Sequence, residues 1–125
     1  MKKISYSLIL IVILLGLTGC SRNFTFELGS IESNTDTKMK MTYKRFDGVK
    51  DRTLTVKEGE PVEINVAIKT KDGTLNASIY NEDFDYSYEG KDIPTSTFSV
   101  TLDEPGNYTI KVEGDMHEGS YSFTW

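Results

Sequence analysis

The sequence predicts an all-β protein, an antiparallel β-sandwich of about eight or nine short strands. Three observations predict it. Apolar and polar residues alternate through most of the chain beyond Arg22, the two-residue period of half-buried strands. Clusters of Gly, Pro, Asp and Asn interrupt the alternation at intervals of about 8–12 residues, the spacing of strands joined by turns. No stretch beyond Arg22 sustains apolar residues at helical spacing.

Each element follows from this pattern. Phe24, Phe26 and Leu28 alternate with polar residues, and Ser30 to Thr37 reads as a polar loop. Met39, Met41 and Tyr43 mark the next strand, and Leu54 and Val56 a short one before the turn Lys57-Glu58-Gly59-Glu60-Pro61. Val62, Ile64, Val66 and Ile68 form the clearest strand. Lys71-Asp72-Gly73 then reads as a tight turn, with Gly supplying a positive φ. Leu75, Ala77 and Ile79 share one face, and Phe84, Tyr86 and Tyr88 alternate after them. Breaks at Glu89–Asp92 and Pro94 precede Phe98, Val100 and Leu102. Asp103-Glu104-Pro105-Gly106 turns the chain into Tyr108, Ile110 and Val112, and Tyr121, Phe123 and Trp125 make the last strand. Two apolar inner faces result, as two packed sheets require.

The N-terminal stretch follows another logic. Lys2 and Lys3 precede an uncharged, mostly Ile, Leu and Val run from Ile4 to Leu17. This is the layout of an export signal, and it is short for a permanent membrane span, which needs about 20 residues. The run ends in Leu17-Thr18-Gly19-Cys20, which resembles the lipobox of bacterial lipoproteins. The resemblance implies that residues 1–19 are removed and that Cys20, the only cysteine, is lipidated. Residues 20–22 then form a short tether, and residues 23–125 form the domain, held at the extracytoplasmic face of the cell membrane. A diacylglyceryl group suits the task, since stable anchoring takes about two chains.

Losing Lys2 and Lys3 from 14 basic residues leaves 12 against 19 acidic ones, a net charge of −7 with His117 neutral. That balance argues against nucleic acid, which needs a basic face. It argues equally against charge-driven docking on anionic headgroups, and it tolerates cationic partners.

Two further resemblances bear on the domain. The turn 103–107 followed by Tyr108 resembles the tyrosine corner of immunoglobulin-like sandwiches, in which the phenol bonds back to upstream backbone. The segments Tyr43–Gly48, Gly73–Leu75, Gly106–Gly114 and Gly119–Trp125 resemble a group of small secreted lipoproteins of Gram-positive bacteria. These residues imply an immunoglobulin-like β-sandwich and imply no activity.

Catalytic chemistry finds little support. With Cys20 lipidated no thiol nucleophile remains, and no Gly-x-Ser-x-Gly elbow occurs. His117, the single histidine, lies in a polar stretch, Glu113 to Gly119, that reads as an exposed loop between the last two strands. One histidine cannot furnish a zinc site, and no calcium-loop spacing surrounds Asp83 and Asp85. The expected protein therefore has no cofactor, no metal and no enzymatic activity.

The segment Asn81 to Glu89 alternates aromatics with acids. If Phe84, Tyr86 and Tyr88 face the core, the acids simply solvate the outside, and this reading is favoured. If the strand lies at an edge, the aromatics form a platform for a sugar ring or a cationic peptide. Tyr80 is out of phase with Leu75, Ala77 and Ile79 and is expected to face outward. The candidate binding residues are therefore Tyr80, Phe84, Tyr86, Tyr88 and His117. The function expected is a non-enzymatic binding module of the cell envelope, with an envelope protein, a cationic peptide or a cell-wall glycan as partner. Envelope defence by sequestering a cationic peptide is the alternative, and a small hydrolase the third reading.

Overall fold

The alternation read from the sequence is the burial pattern of the folded chain. The computed structural model describes residues 25–125. The signal segment 1–19, the lipobox cysteine and the tether lie outside the described residues. Those described contain strands and turns and no helix: β1 (Phe26–Leu28), β2 (Ile31–Thr35), β3 (Lys38–Val56), β4 (Val62–Asn81), β5 (Tyr86–Gly90), β6 (Ser96–Leu102) and β7 (Gly106–Thr124).

All pairings are antiparallel. The fold is the antiparallel sandwich the sequence predicts, with two differences in its strands. The stretch Ser30 to Thr37, expected as a polar loop, carries strand β2, because its backbone pairs with Lys38–Thr42 of β3 although all its side chains are exposed. Seven strands replace eight or nine, because β3, β4 and β7 are long and each serves both sheets. The first half of β3, the first half of β4 and the second half of β7 combine with β2 and β6 in one sheet. Their other halves combine with β1 and β5 in the second, ordered β1-β3-β7-β4-β5. Strands that switch sheets through bulges are a known way of making sandwich corners.

The three bends coincide because the strands are paired there. Register shifts fall between Tyr43 and Gly48 on β3, and between Thr70 and Thr74 on β4. The turn expected at Lys71-Asp72-Gly73 is thus a bend inside a continuous strand, and the loop expected at Glu113–Gly119 is a bend in β7. Glycine makes the bends possible. A Cβ on Gly119 (φ 148°) would sit 1.8 Å from the Lys69 carbonyl oxygen, and one on Gly73 (φ 74°) 2.0 Å from that of Met116. No side chain tolerates either approach.

The inward residues form one core, including Met41, Ile64, Phe123 and Tyr121 from the first sheet and Leu75, Ile79, Ile110 and Val112 from the second. Met39 and Met41 are buried in it, as their phase predicted. Tyr108 is buried too, and its hydroxyl donates to the Glu104 carbonyl oxygen at 2.8 Å. This is the tyrosine corner expected from the sequence. On the opposite edge the inward phase of β3 carries charges instead. Lys50 pairs with Glu27 at 2.5 Å and Glu32 at 3.0 Å, and Arg52 donates to the Lys38 carbonyl oxygen at 2.9 Å while lying over the Trp125 ring. Inward-pointing charges of this kind protect a strand edge from pairing with other chains.

Candidate functional site

The second sheet carries a groove on its outer face, at the β4–β5 edge. Residues Asn76, Ser78 and Tyr80 alternate with the buried Leu75, Ala77 and Ile79, and so face outward. Antiparallel register sets Lys111 opposite Ser78 and Glu113 opposite Asn76, on the same face. On the other side β5 sets Glu89 opposite Ser78 and Tyr86 opposite Tyr80. These side chains, with Phe84 and Lys91, enclose an open groove of about 220 Å³.

Three aromatics form its wall. The Phe84 ring stacks on Tyr80 at 5.6 Å with 19° between planes, and Tyr86 tilts against Tyr80 at 5.5 Å. Phe84 is 68% exposed and Tyr86 55%. The core placement favoured for these two is therefore corrected. A register shift between Ile79 and Tyr80 interrupts the pairing with β5, and Phe84 lies before β5 in a turn, so neither follows the inward phase. Tyr88 alone keeps that phase, half-buried with its ring 4.9 Å from Phe98. Tyr80 faces outward as expected and lines the groove.

Asn81 builds the turn that presents Phe84. Its Oδ1 accepts from the backbone N–H of Asp83 and of Asp85, both at 2.9 Å, and its backbone carbonyl accepts from Phe84 N–H at 3.1 Å. Phe84 is held at φ 59°, a conformation that costs a bulky residue about 1–3 kcal/mol and is found where surrounding structure imposes it.

The groove floor is polar and its charges are paired. Lys111 meets Glu113 at 2.9 Å, and Lys91 meets Glu89 at 3.8 Å. The hydrogen bond to Glu113 holds Lys111 charged, above its ordinary pKa. The outer face of the first sheet differs. Its shallow depression is lined by Asn65, Thr97, Ser99, Ser122 and Thr124 with no charged group.

His117 is elsewhere, and its expected exposure is corrected. It is fully buried, because β7 passes through the bend as strand and turns the ring inward beside Phe46. Its Nδ1 lies 2.5 Å from the Tyr43 hydroxyl and its Nε2 2.8 Å from Thr70 Oγ1. Thr70 has one hydroxyl proton, which it donates to the Ile93 carbonyl oxygen at 2.9 Å. Thr70 must then accept from Nε2–H, which leaves Nδ1 to accept from Tyr43. The ring is neutral in this arrangement, and burial pushes its pKa below the ordinary histidine value. The Thr70–His117 spacing resembles that of an activated hydroxyl, but His117 is fully buried, Thr70 is half-buried, and neither lines the groove. Among the described residues, no three His, Cys, Asp or Glu side chains converge on a common point.

Sequence reasoning named Tyr80, Phe84 and Tyr86 but missed Asn76, Ser78, Lys111 and Glu113. Their outward phase was legible, but their adjacency depends on which strands pair. It also missed Tyr43 and Thr70 as partners of His117, for the same reason.

No protein-family model matches the chain, and no curated protein does. Among solved structures it is similar to the pre-peptidase C-terminal domain of a collagenase from Bacillus anthracis, at 15% identity and a TM-score of 0.47, covering 82% of this chain and 87% of that one. It is also similar to CBM4, at 13% identity and 0.40, covering 82% and 83%. A family 29 carbohydrate-binding module matches at 14% identity and 0.38, covering 80% and 75%. At these scores the likeness carries nothing about function.

Proposed function

We propose that this chain is a non-enzymatic binding module, anchored through Cys20 to the outer face of the cell membrane, that holds a glycan in the Tyr80–Phe84–Tyr86 groove. The observation that carries the reading is Phe84. An exposed phenylalanine held at positive φ adds nothing to the core, and its stack on Tyr80 does no more than offset the cost of its backbone, so its position is explained by what it presents. An aromatic wall gives the apolar face of a sugar ring something to stack on. Asn76, Ser78 and the paired carboxylates give its hydroxyls donors and acceptors. Because the groove's two lysines are matched by two glutamates, it offers a cationic peptide little net field.

The test is calorimetric titration of the lipoprotein in nanodiscs with soluble cell-wall oligosaccharides and, separately, with cationic peptides. Saturable glycan binding that weakens at least about tenfold in Tyr80→Ala is expected, a loss of about 1.4 kcal/mol. Glycan binding untouched by Tyr80→Ala removes the groove from the proposal. Peptide binding without glycan binding replaces it with the envelope-defence reading. The anchor has its own test: Cys20→Ser should abolish incorporation of labelled palmitate and release the protein from membranes.

A further inference from the structure

We propose that the corner formed by β1 and β2 lies in the lipid–water interface of the membrane that holds Cys20. The inference rests on the anchor reading above. Three exposed apolar side chains fall within six residues of chain at this corner: Phe26, 39% exposed, Leu28, 53%, and Ile31, 74%. Register fixes their direction. Phe26 and Leu28 stand opposite Asp47 and Arg45, and Ile31 opposite Thr42, all on the side away from the buried Met41 and Phe46.

Basic groups surround them. Lys40 stands opposite Ser33 on that outward side, the Lys44 stem lies against Gly29 in the β1–β2 turn, and the Arg45 guanidinium sits 5.6 Å from the Phe26 ring centre. Neither Lys40 nor Lys44 forms a salt bridge with a described residue. Of the corner's acids, Glu27 and Glu32 turn the other way and are taken up by Lys50, while Asp47 on the outward side is paired with Arg45 at 2.6 Å, which leaves Lys40 and Lys44 as the excess charge. An acidic chain thus presents a locally basic, apolar corner, the composition of segments that rest at the headgroup boundary. This revises the inference from net charge, which averages over faces that the fold separates.

Tether length selects the occupant. Four residues lie between Cys20 and Thr25, so Thr25, next to β1, lies within about 18 Å of the Cys20 Cα even when the chain is fully extended. No other surface is guaranteed to be so near. The groove lies at the opposite edge of the second sheet, β5 being four strand spacings from β1, about 19 Å.

The experiment places a polarity-sensitive fluorophore on Leu28→Cys or, separately, on Ser87→Cys of β5, in the lipidated full chain. Acylation of Cys20 leaves the introduced thiol as the only one. The protein is bound to vesicles of phosphatidylcholine and phosphatidylglycerol, some carrying a headgroup nitroxide. Co-flotation with a blue-shifted Leu28→Cys probe, quenched several-fold more strongly than the Ser87→Cys probe, is the expected result. Co-flotation with both probes equally aqueous overturns the docking and leaves the anchor standing. Failure to co-float, or labelling of Cys20 itself, overturns the anchor and the docking with it.

Discussion

The Tyr43 hydroxyl and the His117 Nδ1 meet 2.5 Å apart in the core, although 74 residues of chain separate them. Together with Thr70 they form a polar chain across the bends of β3, β7 and β4, inside otherwise apolar surroundings. Every member is satisfied, so the chain is tolerated, and losing one member strands the others.

His117→Ala should therefore destabilise the fold by about 3 kcal/mol, combining a cavity with two hydroxyls left short of a partner. The loss should be non-additive. Tyr43→Phe should cost less in a His117→Leu background than alone, by about 1 kcal/mol or more. Urea denaturation of the native chain, His117→Ala and the three variants of the Tyr43–His117 cycle measures both effects, and strict additivity would contradict the proposed hydrogen bond.

Acid should weaken the protein through the same residue. The folded-state pKa of His117 is depressed by burial, so the unfolded chain binds the proton more readily. Stability is then fully present above the ordinary histidine value of about 6.5 and falls as pH drops below it. Glu27 and Asp47 also have lowered pKa values. The Lys50 side chain beside Glu27, and the Met116 N–H and Arg45 bonded to Asp47, stabilise the charged forms. Their contributions are lost only as pH falls below about 4.5, which leaves a separate window. Unfolding midpoints compared between pH 7 and pH 5 should drop for the native chain and much less for His117→Gln.

Phe84→Gly should separate binding from folding. Relief of the positive-φ conformation gains about 1–3 kcal/mol. Loss of the Tyr80 stack costs about 0.5–1.5 kcal/mol, and the glycine's added chain entropy costs about 0.5–1 kcal/mol. These nearly cancel, so thermal stability should stay within about 1 kcal/mol of the native chain while glycan affinity falls several-fold. A large loss of stability would assign Phe84 a structural role instead.

Gly119→Ala should be among the most damaging single-methyl changes in the chain. The added carbon would sit 1.8 Å from a backbone oxygen of the neighbouring strand, which no rotamer change can relieve. A loss of at least about 3 kcal/mol is expected in chemical denaturation, with a lowered midpoint.

Burial with a two-residue period is a local property, so the sequence by itself determined the sandwich, most of its strands and most core residues, but not β2, which is exposed along its whole length and carries no such period. The turn before Tyr108 was equally local, because its hydroxyl reaches back only to Glu104. What only the tertiary structure decided was non-local. A glycine in a polar cluster reads the same whether the chain turns back or bends onward, and only pairing with β7 makes the stretch at Gly73 a bend. Burial of His117 depends on that bend and on β3 passing beside it. The groove was half legible. Tyr80 announced itself by its phase, but Phe84 is exposed by an Asn81-built turn, and Lys111 and Glu113 reach the same face only through strand register. Register joins residues distant in the chain and is set by how the two sheets close over a common core, which no window of sequence contains.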